Sequence, residues 1–159
     1  MDAPERYEQL IAYLDSQLPQ PVDRQTVANG ALQFTGGDPA QVVVLLTDTS
    51  VIVSEFAGVW ESPFNFEATP RRVGLVKWKR LSETSLLNAL AALIKGAREA
   101  RLSQFQTCQY CSRHTAPEWL HGDHICQSCA DNQLGVIHLV KVVADGTWLM
   151  AVVDRGHQP

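Results

Sequence analysis

Two short repeats of one spacing, Cys108-x2-Cys111 and Cys126-x2-Cys129, hold all four cysteines of this 159-residue chain. Two intervening residues let the backbone turn tightly enough to aim both sulfurs at one point. Two such turns supply four thiolates in a tetrahedron, each about 2.3 Å from a shared ion. Fourteen residues separate the pairs, and paired C-x2-C turns at such a separation are a zinc signature. The N-terminus, MDAPERYEQL, lacks the basic start and apolar run of a signal peptide. No stretch approaches the roughly 18 apolar residues of a membrane helix. The chain is therefore expected to be cytoplasmic and away from membranes, where clustered cysteines serve as ligands or redox thiols rather than disulfides. A redox C-x-x-C sits on a thioredoxin-like βαβ pattern, and none precedes either pair. Four thiolates fill a tetrahedral shell and leave no place for a reactive water. The predicted cofactor is one structural zinc per chain, held by Cys108, Cys111, Cys126 and Cys129.

This block resembles the four-cysteine zinc fingers, in their treble-clef or zinc-ribbon forms, over about residues 105–138. Both pairs lack the glycine that many ribbons place just after the second cysteine. CQSCADNQL, followed by Gly135 as a natural helix terminator, reads as a short helix carrying the last two ligands in its first turn. That arrangement resembles the treble clef more than the ribbon. His114, His121 and His124 lie between the pairs, but four cysteines make a histidine ligand unnecessary. Asp123-His124-Ile125 is similar to the catalytic segment of zinc-stapled HNH nucleases. In that family a substantial insert separates this segment from the second cysteine pair, whereas here Cys126 follows Ile125 directly. His121 and His124 are read as polar loop residues beside the thiolates. No family resemblance extends over the remaining chain.

The rest of the chain must fold without such help. The sequence contains 45% hydrophobic and 19% charged residues overall, enough apolar material for one core. Tyr7, Leu10, Ile11, Leu14 and Leu18 follow helical spacing. Asp2 would cap that helix, and Pro19 and Pro21 would stop it. TVANGALQF places Asn-Gly between two extended runs, a type I′ hairpin signal. QVVVLL and VIVSEF read as strands around the turn TDTS. AGVWESPFNFEATPRR reads as a longer irregular segment, and VGLVKWKRL as the last strand of the group. A second helix is expected over about 83–102, capped by Ser82, with Leu86, Leu90, Leu93, Ala97 and Ala100 on its apolar face. Two β runs around Asp145-Gly146 close the chain as another hairpin. The expected fold class is α+β: an antiparallel sheet with two flanking helices over 1–104, then a four-cysteine zinc module with a C-terminal β-hairpin over 105–159.

Charge is uneven. Residues 1–70 carry ten acidic and two basic side chains, and residues 71–102 carry eight basic and two acidic ones. Arg71, Arg72, Lys79, Lys95, Arg98 and Arg101 are the candidate contacts to a nucleic acid or another partner. Convergence on one exposed face would favour nucleic acid, and pairing with the acidic N-terminal half would disfavour it. In an extended VGLVKWKRL strand, Lys77 and Lys79 share one face while Trp78 points the other way, into the core. Trp60, Phe64, Phe66 and Trp119 are candidate aromatic anchors for a partner. No nucleophile motif, phosphate loop, H-E-x-x-H or dinucleotide fingerprint occurs, so no catalytic residue is assigned. The leading expectation is a non-enzymatic interaction or adaptor protein whose partner is another protein. A nucleic-acid-binding regulator is the alternative, and an enzyme the third reading.

Overall fold

The computed structural model describes residues 3–62, 64–122, 124–133, 138–144 and 147–153, with side chains described through Asn132. Asp2, Asp123, Gly135 and Asp145-Gly146, invoked above, lie outside the described set. The chain forms two compact units, one of Met1–Ala57 with Thr69–Ser103 and one of Gly58–Ala68 with Gln104–Pro159. The excursion over 58–68 thus belongs with the cysteine block, which a single boundary at 104/105 does not express.

The first unit begins with helix α1 (Ala3–Gln17). A five-stranded antiparallel sheet follows: β1 (Val22–Thr26), β2 (Leu32–Gly36), β3 (Val42–Leu46), β4 (Val51–Glu55) and β7 (Arg71–Val76), in that spatial order. Asn29 and Gly30, between β1 and β2, have φ of 64° and 77°. Positive φ at both central residues is what a type I′ hairpin demands, and Asn-Gly tolerates it best. Across the sheet, Phe34, Val44 and Val53 stand opposite one another in register, all fully buried. The next position in that row is Gly74. A Cβ there would lie 2.6 Å from Leu93 Cδ2 of helix α2 (Glu83–Leu102), so the missing side chain is what lets the helix settle on the strand.

Helix α2 packs on β3, β4 and β7. Ser82 caps it, its Oγ accepting from Ser85 N at 3.2 Å. Leu86, Leu90, Ile94 and Ala97 are buried and join Leu10, Leu14 and Leu18 with the strand valines in one hydrophobic cluster. The buried stripe therefore passes through Ile94 and ends on Arg101, not Ala100. Arg101 is only 1% exposed, with Nε donating to Ala40 O at 3.0 Å and the guanidinium 5.0 Å from the Phe56 ring centroid.

Two expectations are corrected. The final strand of the sheet stops at Val76, and Trp78 sits in a 3₁₀ turn over Trp78–Arg80. Its indole is 2% exposed and donates to Thr47 O at 3.0 Å, so the turn delivers it to the core by a route that strand alternation does not describe. The segment read as irregular is a hairpin, β5 (Gly58–Ser62) with β6 (Asn65–Ala68). Its mostly exposed residues give no apolar alternation to read.

The second unit adds the short strands β8 (Gln106–Thr107), β9 (His114–Thr115), β10 (Leu120–His121) and β11 (Ile125–Cys126), then helix α3 (Gln127–Gln133). Strands β12 (His138–Ala144) and β13 (Thr147–Val153) pair antiparallel in unbroken register. Among the described residues no helix is long and apolar enough to cross a membrane.

Candidate metal centre

Strands β8 and β9 form a two-pair ladder that brackets the first cysteine turn, residues 108–113. Cys108 N donates to Arg113 O at 2.9 Å, and Ser112 N to Cys108 O at 2.9 Å. Tyr110 N points at Cys108 Sγ, 3.4 Å away. The turn closes through Ser112 at φ 62°. This is the position just after the second cysteine, where glycine is the comfortable choice. The serine thus adopts the left-handed conformation that the missing glycine would have supplied. Ladder β10–β11 then delivers Cys126 at its end, and α3 carries Cys129 in its first turn. One backbone bond, Gln109 N to His124 O at 2.8 Å, ties the first turn to the second ladder.

The four Sγ atoms lie within 4.8 Å of one another, with Cys111 and Cys126 at 3.8 Å. Sulfurs at about 2.3 Å from one tetrahedral ion must themselves be about 3.8 Å apart. The set fits a single metal ion, and all four cysteines are unbridged. Cys108 and Cys126 are buried while Cys111 is exposed. Among the described residues, no other group of three or more histidine, cysteine or carboxylate side chains could hold an ion. The histidines stay outside the cluster. His114 packs edge-on against Phe105, with ring centroids 5.4 Å apart, while His121 and His124 are exposed.

The thiols are mutually frustrated without a cation. Burial pushes Cys108 up, but the N–H groups of Cys111, Cys126 and Tyr110, with the Cys129 thiol, together hold it down at about 6. Cys129 is pushed up to about 12 by burial and by the three neighbouring sulfurs. One thiolate is stabilised and a second proton is trapped, an imbalance that a divalent cation removes by letting all four ionise.

The six basic candidates all fall in the other unit. Arg71 Nε pairs with Glu55 at 2.6 Å, Arg98 Nε donates to Gln41 Oε1 at 3.1 Å, and Arg101 is buried. Lys79 Nζ lies 5.5 Å from the centroid of the Trp78 ring it covers. Arg72 and Lys95 are exposed. The aromatic candidates behave differently. Trp60, Phe66 and Trp119 come together, with Trp60 edge-on to Phe66 at 5.2 Å and to Trp119 at 6.0 Å. Phe64 is half-buried.

Two residues that sequence reasoning does not single out complete this site. Trp60 Nε1 donates to Glu118 O at 3.0 Å, and Gln127 Nε2 reaches the same carbonyl at 3.5 Å. Gln127 lies between the candidate ligands Cys126 and Cys129, so the second cysteine turn and the aromatic group share an acceptor. No local signal announces a contact spanning 58 residues. The matched aromatics of GVW and NFE are the only hint the sequence offers. No family model, curated protein or solved structure matches the chain.

Proposed function

We propose that this is a zinc-binding interaction protein, in which a closed four-cysteine site of treble-clef form fixes an aromatic docking face. The order of elements supports the treble clef: a cysteine turn between β8 and β9, the ladder β10–β11, then α3 carrying the last ligand. Zinc suits a tetrahedral thiolate set, iron being its main competitor for such ligands. With every coordination position taken by sulfur, the ion supplies structure rather than a reactive water.

The observation that carries the interaction reading is the state of Trp60. Its indole is oriented by the Glu118 carbonyl and two neighbouring rings, yet it remains 41% exposed beside Trp119 at 48%. A large aromatic held rigid at the surface has little side-chain entropy left to lose on binding, the property of an interface anchor. The nucleic-acid alternative draws less support, because Arg71, Arg98 and Arg101 are engaged within their own unit.

Elemental analysis of the purified protein is expected to give one zinc per chain. A photo-crosslinking residue at Val59 or Tyr110, both exposed, should capture a protein partner in cells. The same residue at Leu75 in the other unit should capture much less. Metal-free folded protein, or capture only from Leu75, would defeat the proposal.

A further inference from the structure

We infer that the aromatic face of the β5–β6 hairpin seats a proline-rich segment in the polyproline II conformation. This rests on the interaction reading above and narrows the partner to one chemistry.

The hairpin register divides its residues between two faces. Trp60 stands opposite Phe66 and Gly58 opposite Ala68, so these four share one face by alternation. Val59 stands opposite Glu67 on the other face, where Glu61 is hydrogen-bonded to Glu67. Both carboxyls of residues 58–68 therefore lie away from the rings, and the segment contains no lysine or arginine. A Cβ on Gly58 would collide with Phe66 Cζ, so the Phe66 ring lies against bare backbone. Trp60 meets that ring at an interplanar angle of 62°, and Trp119 adds a third ring at 72° to Trp60. Rings set at such angles present alternating faces and edges rather than one flat stack.

This chemistry selects the occupant. No hairpin position on the aromatic face is charged, so nothing there answers the phosphates of a nucleic acid or the charges of an ionic peptide. Hydrogen bonding narrows the choice further. The Trp60 indole N–H is spent on Glu118 O. Trp119, 48% exposed, bonds among the described residues through its backbone N to Ala116 O, which leaves its indole N–H available. An available donor asks for a carbonyl that is not already paired. A docking helix spends its carbonyls internally. A polyproline II chain makes no internal hydrogen bonds, so its carbonyls stay open. Its pyrrolidine rings are apolar bodies that suit aromatic-lined surfaces. Its fixed φ leaves little backbone entropy to lose on docking against rings that are themselves held in place.

The seat is also tied to the cysteines. Glu118 O, which orients Trp60, also accepts from Gln127 between the candidate ligands Cys126 and Cys129. A metal that fixes that turn fixes the carbonyl, so peptide binding should require it.

The test is selection of random displayed peptides on the zinc-loaded full-length chain, followed by anisotropy titrations with the selected peptides. Enriched sequences should carry two or more prolines within a few positions. Their affinity should change by less than about twofold between roughly 50 and 500 mM salt, since no ion pair is made. Trp119→Ala should weaken binding by about tenfold or more with zinc content and melting unchanged, since its described ring contact is to Trp60 alone. Trp119→Phe, which keeps a ring but loses the N–H, should weaken it by about threefold to tenfold. Chelation should abolish it. Consensus sequences without proline, or proline-rich ones indifferent to Trp119→Ala, overturn this inference and leave the interaction reading standing. Salt-sensitive binding of single-stranded RNA that is lost in Trp119→Ala overturns it in favour of nucleic acid. Absence of any enriched peptide sinks both this inference and the reading beneath it.

Discussion

In the sheet unit, Phe34, Val42, Val44, Leu46, Val51, Val53, Leu14 and Leu90 are all fully buried. In the metal unit, the buried apolar side chains among the described residues are Cys108, Ala116, Cys126 and Ala130, while Val59, Trp60, Tyr110 and Trp119 lie exposed. Burying a valine, leucine or phenylalanine is worth about 1.5–3 kcal/mol, far more than an alanine can supply. Among the described side chains, the first unit shows a core and the second a set of candidate ligands. Apparent binding energies of about 10–16 kcal/mol for structural zinc at neutral pH are energies of folding for a segment of this kind. With a metal on the four cysteines, one chain would use two means of stabilisation, and each would free something different. The core fixes a scaffold. A metal on the four cysteines would let Val59, Trp60, Tyr110 and Trp119 remain at the surface.

That contrast is broken most directly through the ligands. Cys126→Ser, or a strong chelator, should cost the metal unit several kcal/mol. Hydrogen exchange should show its amides losing protection while those of β2–β4 keep theirs. Equal loss in both units would show that the division is not energetic. Metal uptake should also release protons. At about pH 7.5 the Cys108 thiol, held at about 6, is already ionised, whereas Cys129, pushed to about 12, is not. The metal-bound state carries fewer protons, so affinity rises with pH. It should fall more steeply below about pH 6, where Cys108 also takes up a proton. Calorimetry in two buffers of different ionisation enthalpy reads the release, expected to be no less than one proton.

The complementary break lies in the core. Leu90→Ala removes a fully buried side chain and should cost about 2–5 kcal/mol in urea unfolding, with zinc stoichiometry unchanged. Ser82→Ala, which deletes the α2 cap, should cost about 1 kcal/mol in the same assay. Smallest is Ser112→Gly. Relief of a positive φ should stabilise the metal unit by up to about 1 kcal/mol, seen as slower zinc loss to a competing chelator. A faster loss would mean the serine side chain contributes more than its backbone costs.

What can be read in advance follows the same division. Helix α2 and its Ser82 cap, strands β3 and β4, and the Asn29-Gly30 hairpin are legible because local spacing dictates them. The four clustered cysteines are legible because C-x2-C is itself a local geometry. Arg101 is not, since a helix-terminal arginine is normally solvated, and here the neighbouring strand connection provides Ala40 O and the Phe56 ring. Hairpin β5–β6 escapes a sequence reading because its residues are mostly exposed and carry no burial pattern. Its meaning depends on Glu118, 58 positions away from Trp60. Long-range contacts to backbone carbonyls leave no periodicity behind.

That separation has a consequence in time. During synthesis Trp60 emerges before the carbonyl that will hold it. At about 5–20 residues per second the wait is roughly 3–12 s, and it lengthens until the metal arrives. Were zinc the ion on the four cysteines, a cell short of it would accumulate chains whose sheet unit can form while a tryptophan-bearing hairpin has nowhere to dock. Such a hairpin is the kind of surface that chaperones and proteases survey. Metal supply would then set how much of this protein survives, as well as how well it folds.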